Sequence, residues 1–209
     1  MSGPDPWVKP VTLEGQWVRL EPLSIEHLPG LAEVGLDPVL WRWTLSVIAT
    51  PADMRLFVDA ALAEQASGSA MPFAIVERAT GRPVGSTRYL SIEAHHRRLE
   101  IGYTWVAPGW QRTPINSEAK LLLLGHAFDR LGAIRVEFKT DSLNEGSRRA
   151  LIGIGATEEG TLRNHMISQR ERRRHSVYYS VIAEEWPRVR DHLQARLARL
   201  ARDPRPPSG

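Results

Sequence analysis

No cysteine occurs among the 209 residues of this chain. Disulfides, thiolate catalysis and cysteine-based metal sites are thereby excluded, and the sequence suits a reducing compartment. Long apolar runs are missing too: none approaches the roughly 18 residues that a membrane-spanning helix needs. The opening residues, MSGPDPWVKP, have neither the basic-plus-apolar pattern of a signal peptide nor the amphipathic pattern of a transit peptide. These absences lead us to expect a soluble cytoplasmic protein that does not engage a membrane. Excess charge is small as well. A net charge of +3 does not argue for nucleic acid, although arginines gather late in the chain. His95, His96, His126, His165, His175 and His192 are scattered without metal-ligand spacing, so no metal is expected.

What is present reads as one domain of alternating elements. Residues 1–11 carry Pro4, Pro6 and Pro10 and are expected to be a loose arm. Thr12 to Leu23 reads as a strand, with Val18 and Leu20 on one face and Trp17, Arg19 and Glu21 on the other. Ser24 is placed to cap a short helix. Thr50, Pro51 and Asp53 form a capping-box start for a longer one. Trp41 and Trp43 lie between these helices, as core residues or as the lining of a cleft. Strands follow over 73–79, 84–92 and 98–106, with Gly85 marking a bulge and Leu99, Ile101, Tyr103 and Trp105 alternating as one apolar set. A polar loop, Gly109 to Asn116, leads into an apolar helix from Glu118 to Leu131. A strand at 135–140, a helix over 144–155, strands at 156–166 and 175–183, and an amphipathic helix at 186–202 complete the order. That last helix either covers the core or binds a second subunit as a homodimer contact. The tail 203–209, DPRPPSG, is expected to be disordered. The basic stretch Arg163 to His175 is read as a hairpin turn, solvated or bordering a binding site.

A strand, a tight loop and a helix in succession place several backbone N–H groups and the positive end of a helix dipole at one spot, which suits an anion and most often a phosphate. The loop is Gln111-Arg112-Thr113-Pro114-Ile115-Asn116, followed by Ser117-Glu118-Ala119. Together with the element order and with Leu99-Glu100-Ile101-Gly102-Tyr103, it resembles the GNAT superfamily of acyl-CoA-dependent N-acetyltransferases, and more narrowly the RimJ/RimL type. Asn144 followed by Ser147, and Gly155 closing that helix, carry the resemblance further; it spans roughly residues 12–185, with 186–202 as an appended helix. Two loop positions depart from the family pattern: Pro114 and Asn116 stand where small residues are usual, and proline removes one N–H donor. Leu151 stands where many relatives carry a tyrosine acid.

The resemblance implies an α/β (α+β) GNAT fold, a mixed central sheet flanked by helices with a splayed pair of central strands. It implies acetyl-CoA as co-substrate and a primary amine as acceptor: a peptide or protein N-terminus, or alternatively a small amine such as an amino acid, a polyamine or an antibiotic. A catalytically weak acyl-CoA-binding module is a further alternative. By the same resemblance, Trp105 and Val106 would bind the pantetheine arm, with the Val106 N–H as oxyanion donor. Gln111, Arg112, Thr113, Ile115, Asn116 and Ser117 would form the pyrophosphate loop, and Asn144 would touch the pantetheine or the substrate amide. Transfer to an amine needs a base and an acid for the departing thiolate. Glu100 is the candidate base, or else a strand carboxylate paired with Arg88 or Arg98. Ser147 is the candidate acid. Lys120 is read as reaching a phosphate or lying on a solvated face.

Overall fold

The computed structural model describes residues 6–202, so expectations for 1–5 and 203–209 lie outside the described residues. Eight strands form one sheet: β1 (Leu13–Glu14), β2 (Val18–Pro22), β3 (Ala70–Glu77), β4 (Pro83–Glu93), β5 (Arg98–Val106), β6 (Arg135–Asp141), β7 (Thr157–Ile167) and β8 (Arg173–Ile182). Their order is β1-β2-β3-β4-β5-β6-β8-β7. Neighbours are antiparallel except for β5 and β6, which run parallel and whose register covers only Arg98↔Arg135, Leu99↔Val136 and Glu100↔Glu137. Beyond Glu100 both strands continue without pairing, and this is the expected splay.

The parting has a local cause. Ser86 pairs with Trp105 but Arg88 pairs with Gly102, so Tyr103 and Thr104 together face Thr87, and Tyr103 takes a φ of 48°. This bulge bends β5 and shifts its side-chain parity by one. Leu99 and Ile101 point into the same core as Leu123 and Val136, whereas Trp105 joins the core on the opposite side. The alternating apolar set expected from the sequence is therefore split between two faces.

One face is covered by α4 (Pro114–Gly125), which ends in a π-helical turn at His126–Arg130, by α5 (Glu145–Gly153) and by α6 (Trp186–Arg202). Trp186, Val189, Leu193 and Leu197 of α6 are buried there, so the amphipathic C-terminal helix covers the core. The other face carries α1 (Leu28–Val34), α2 (Pro38–Trp41) and α3 (Pro51–Ala66), with Leu31, Trp41, Met54, Phe57 and Val58 buried against Ala74, Val76 and Trp105. Thr50 caps α3 as expected, its hydroxyl accepting from the Asp53 N–H while Asp53 accepts from the Thr50 N–H.

Three expectations are corrected. The single strand over 12–23 is a hairpin, β1 and β2, turning at Gly15. Residues 6–11 are not a loose arm: Trp7, Val8 and Val11 pack against the core, and the Trp7 indole donates to Leu131 O at 2.9 Å. The stretch 163–175 is mostly strand, with only 168–172 between β7 and β8. No helix among the described residues is long and apolar enough to cross a membrane.

Candidate active site

The site is built where β5 and β6 part. Ala107 N–H donates to Val84 O at 2.9 Å, so Ala107 faces β4. Backbone groups alternate along a strand edge, which turns the N–H and C=O of Val106 away from β4 and into the splay. The Val106 carbonyl accepts from Gln111 Nε2 at 2.9 Å, while no acceptor among the described residues is matched to its N–H. Trp105 and Val106 are buried, and Gly85 fits against them because a Cβ there would lie 2.2 Å from Trp105 O.

The loop then runs directly into α4. Trp110 N–H and Gln111 N–H donate back to Ala107 O and Pro108 O. Arg112 takes a φ of 64°, Thr113 is the helix cap, and Pro114 is the first helical residue. That position has no intrahelical acceptor for an N–H and suits the fixed φ of proline, so Pro114 fits the turn rather than breaking it. Among the described residues no acceptor is matched to the N–H groups of Arg112, Thr113 and Asn116. The Ile115 N–H donates to the Thr113 hydroxyl at 3.4 Å, and Ser117 faces α6, where its hydroxyl accepts from Arg196 Nε at 3.1 Å. Gln111 spends its side chain on Val106 and its N–H on Pro108. The donors left at this helix start are thus fewer than the six loop positions considered.

Two residues of α4 were not anticipated in their actual roles. Glu118 is buried, and its carboxylate accepts the N–H groups of Gln16, Trp17 and Val18 at 2.7, 2.7 and 2.8 Å. It ties the β1–β2 turn to the first turns of α4. Lys120 neither reaches outward nor lies on a solvated face. It is buried, its Nζ donates to Thr104 Oγ1 at 2.7 Å, and it stands 5.9 Å from the Phe138 ring, at the base of the splay. Burial pulls its ammonium down to about 7.

Glu100 lies on the opposite face of the sheet, only 4% exposed. Its partner is Lys139, at 3.3 Å, and not Arg88 or Arg98. Those two arginines pair with Glu64 and with Glu93 and Glu137. Burial raises the Glu100 carboxyl above its ordinary value, against the opposing pull of Lys139. Asn144 caps α5, its Oδ1 accepting the Ser147 N–H at 3.0 Å, and Ser147 is half-buried in the first turn. Leu151 is buried core.

The Glu100 face has a lining that sequence alone did not reveal. Tyr103 lies under the Arg88 guanidinium at 4.0 Å, and Trp41 packs on Trp105 with ring centres 5.5 Å apart. Trp43 is flanked by Arg42 and Arg172 at 4.8 and 5.6 Å. Trp41 is thus core, and Trp43 stands at the rim. The β7–β8 turn reaches across to this rim: Gln169 Nε2 donates to Trp41 O at 2.8 Å, Thr44 O at 3.3 Å and Ser46 O at 2.7 Å. Among the described residues, the buried side-chain atoms without a partner are Gln65 Oε1, Arg88 Nε, Trp105 Nε1, His165 Nδ1, Arg174 Nε and Ser176 Oγ. Arg88, Trp105, His165, Arg174 and Ser176 are strand residues on this side of the sheet. Buried polar groups in folded proteins are normally paired, so each is a group whose partner water or a ligand would supply. Among the described residues no group of three or more His, Asp or Glu is placed to hold a metal ion.

Comparison with known proteins agrees with this geometry. Residues 18–157 match the model of the acetyltransferase (GNAT) domain. An uncharacterised N-acetyltransferase of Bacillus subtilis, YoaA, is 33% identical over 92 residues, covering 44% of this chain and 51% of that relative's length. A solved structure from T. thermophilus, described as an acetyltransferase, is 38% identical and superimposes with a TM-score of 0.83 over 91% of this chain and 99% of that one. Mycobacterium smegmatis RimJ, solved in complex with CoA-disulfide, shares the fold at 21% identity, with a TM-score of 0.75 over 90% of this chain and 95% of its own.

Proposed function

The chain belongs to the GNAT acetyltransferase family, whose donor is acetyl-CoA, and from that premise we propose that it acetylates a primary amine, with a peptide or protein N-terminus as acceptor. The observation that carries this reading is the splay itself. The Val106 N–H points into it, the N–H groups of Arg112, Thr113 and Asn116 stand at its mouth, and Glu100 lies on the face behind it.

Acetyl-CoA supplies the activated acyl group when bound. The chain's own residues then have separable tasks. The start of α4 receives phosphate through backbone N–H groups and its dipole. The Val106 N–H holds the acyl oxygen and stabilises the charge that develops there. Glu100 takes the proton of the incoming amine, directly or through water, and its raised proton affinity suits a base working near neutral pH. Ser147 donates a hydrogen bond to the departing thiolate, which takes up, through water, the proton that Glu100 received from the amine. The bond from nitrogen to the acyl carbon forms as the carbon–sulfur bond breaks, so no oxidant is needed. An N-terminal acceptor is favoured by the polar and aromatic residues of the Glu100 face, among them Lys139, Arg88 and Tyr103.

Thermal unfolding with acetyl-CoA, CoA and ATP tests the donor, and a panel of N-terminal peptides and small amines, read by CoA release, tests the acceptor. At about 100 times its dissociation constant acetyl-CoA should add about 2.7 kcal/mol of stability. Stabilisation by acetyl-CoA with turnover confined to small amines would overturn the peptide acceptor. No stabilisation would overturn the donor reading.

A further inference from the structure

At the open end of the splay, one buried cation on the Glu100 face is incompletely paired. Asp141 is fully buried and has two arginine neighbours. Arg172 takes it in a direct ion pair. Arg174 stands off, its Nε 3.9 Å from the same carboxylate and without a hydrogen-bond partner. Glu100 is matched by Lys139. Glu137, which also acts on Glu100, is taken by Arg98 and Arg135, so of the cations beside Asp141 and Glu100 it is Arg174, only 8% exposed, that lacks a close ion pair.

An incompletely paired guanidinium at that depth is costly unless an anion completes it. Two more groups beside it lack partners. Ser176 stands opposite Asp141 in the β6–β8 register, is wholly buried, and has a free hydroxyl. His165, packed edge-on to Tyr178 with ring centres 5.8 Å apart, has a free Nδ1. Its basicity is lowered by burial and by Lys139 and Arg174, so it stands neutral at pH 7 and donates from Nδ1 in one tautomer. A guanidinium N–H, a hydroxyl and an imidazole N–H without partners thus stand on neighbouring strands of one sheet face, the kinds of donor that a carboxylate receptor requires. Lys139 links this group to Glu100: its Nζ is 3.3 Å from the Glu100 carboxylate and 5.8 Å from the Tyr178 ring on which His165 packs, so an acid bound at one and an amine at the other fit a single small segment.

We propose that Arg174, with Ser176 and His165, binds a carboxylate of the acceptor, so that the preferred substrate is an amine with an acidic group close by: for a peptide, an acidic side chain within its first few residues. This rests on the proposed acetyl transfer at Glu100.

The test compares two hexapeptides that differ only by glutamate or glutamine at the second position. Free glutamate serves as a third arm, to separate a peptide acid from an amino acid. In the wild-type protein kcat/KM should favour the acidic peptide at least tenfold, and Arg174→Gln should shrink that ratio to about threefold or less. The N-acetylated twins, titrated calorimetrically into CoA-loaded protein, should differ in affinity in the same sense. Equal rates and equal affinities for the twins would overturn the proposal while leaving acetyl transfer intact. Discrimination between the acetylated twins without turnover of any peptide would support the carboxylate site and overturn the acetyl-transfer reading. The wild-type comparison needs no variant, so a poorly folding Arg174→Gln protein does not leave the question open.

Discussion

Lys120 donates to Thr104 across 2.7 Å of protein interior, from the first turns of α4 to the bulged end of β5. An ammonium in that position is held against its hydration, and the consequence is a stability that depends on pH. The unfolded chain keeps this proton up to the ordinary value of 10.5, whereas the folded chain releases it near 7. Between those values the unfolded state binds more protons, so stability should rise with pH across that window. Below about 7 both states are protonated and the folded state carries the full cost of the buried charge. Lys120→Met should therefore raise Tm by several degrees at about pH 6 and flatten the slope between about pH 7 and 10. Melting curves of both proteins across that range check this, and an unchanged slope in the variant would refute it.

Glu100→Gln should reduce kcat/KM roughly 100- to 10,000-fold, the range ordinarily contributed by a general base. Because the Glu100 carboxyl is raised, wild-type activity should fall as pH drops through a value above the usual carboxylate range, and this limb should vanish in the variant. The folded state holds the Glu100 proton more tightly than the unfolded chain does, so ionisation costs stability as pH rises. The neutral amide should leave Tm at about pH 8 equal or higher. Loss of activity together with a large drop in Tm would indicate a structural role instead.

The Glu118 carboxylate anchors three backbone donors, and hydrogen bonds to charged groups contribute about 1.5–3 kcal/mol each. Glu118→Ala should lower unfolding stability by about 3–5 kcal/mol, since it leaves those N–H groups unmatched. Gly15→Ala should also destabilise, because its Cβ would lie 2.3 Å from Glu118 Cδ. Urea unfolding of both variants, and of the double variant, measures this. Fully additive losses would contradict a shared contact.

Pro114 offers a simpler measurement. At the first helical position it should stabilise the free protein, so Pro114→Ala should cost about 0.4–1 kcal/mol in stability. Acetyl-CoA affinity should change by less than about tenfold, as calorimetric titration would show. A larger gain in affinity would mean that the proline does handicap the loop.

These variants separate what the sequence announces from what only the fold reveals. Alternation, capping residues and turn chemistry are local, and they suffice for most of the strands (though not for the hairpin within 12–23 or the strand ends within 163–175), for the capped start of α3 and for the sequence of strand, loop and helix at 98–131. Three kinds of feature are not local. The bulge at Tyr103–Thr104 inserts one residue into an otherwise regular alternation, so counting through it puts Trp105 on the wrong side of the sheet. The roles of Glu118 and Lys120 depend on partners about 100 and 16 residues away. An acidic or basic residue on a helix reads as solvated until the opposing element is known. Of the candidate site, the loop, Val106 and the placement of Glu100 on the central strand were legible. The arginines, serine and histidine behind Glu100 became a group only when β8 was laid beside β6.

The bonds from Gln169 to the carbonyls of Trp41, Thr44 and Ser46 join segments 123 to 128 residues apart in the chain. One amide side chain thereby fastens the β7–β8 turn to the stretch that carries Trp43. The two segments then move as one body, and a change in either is felt by the other.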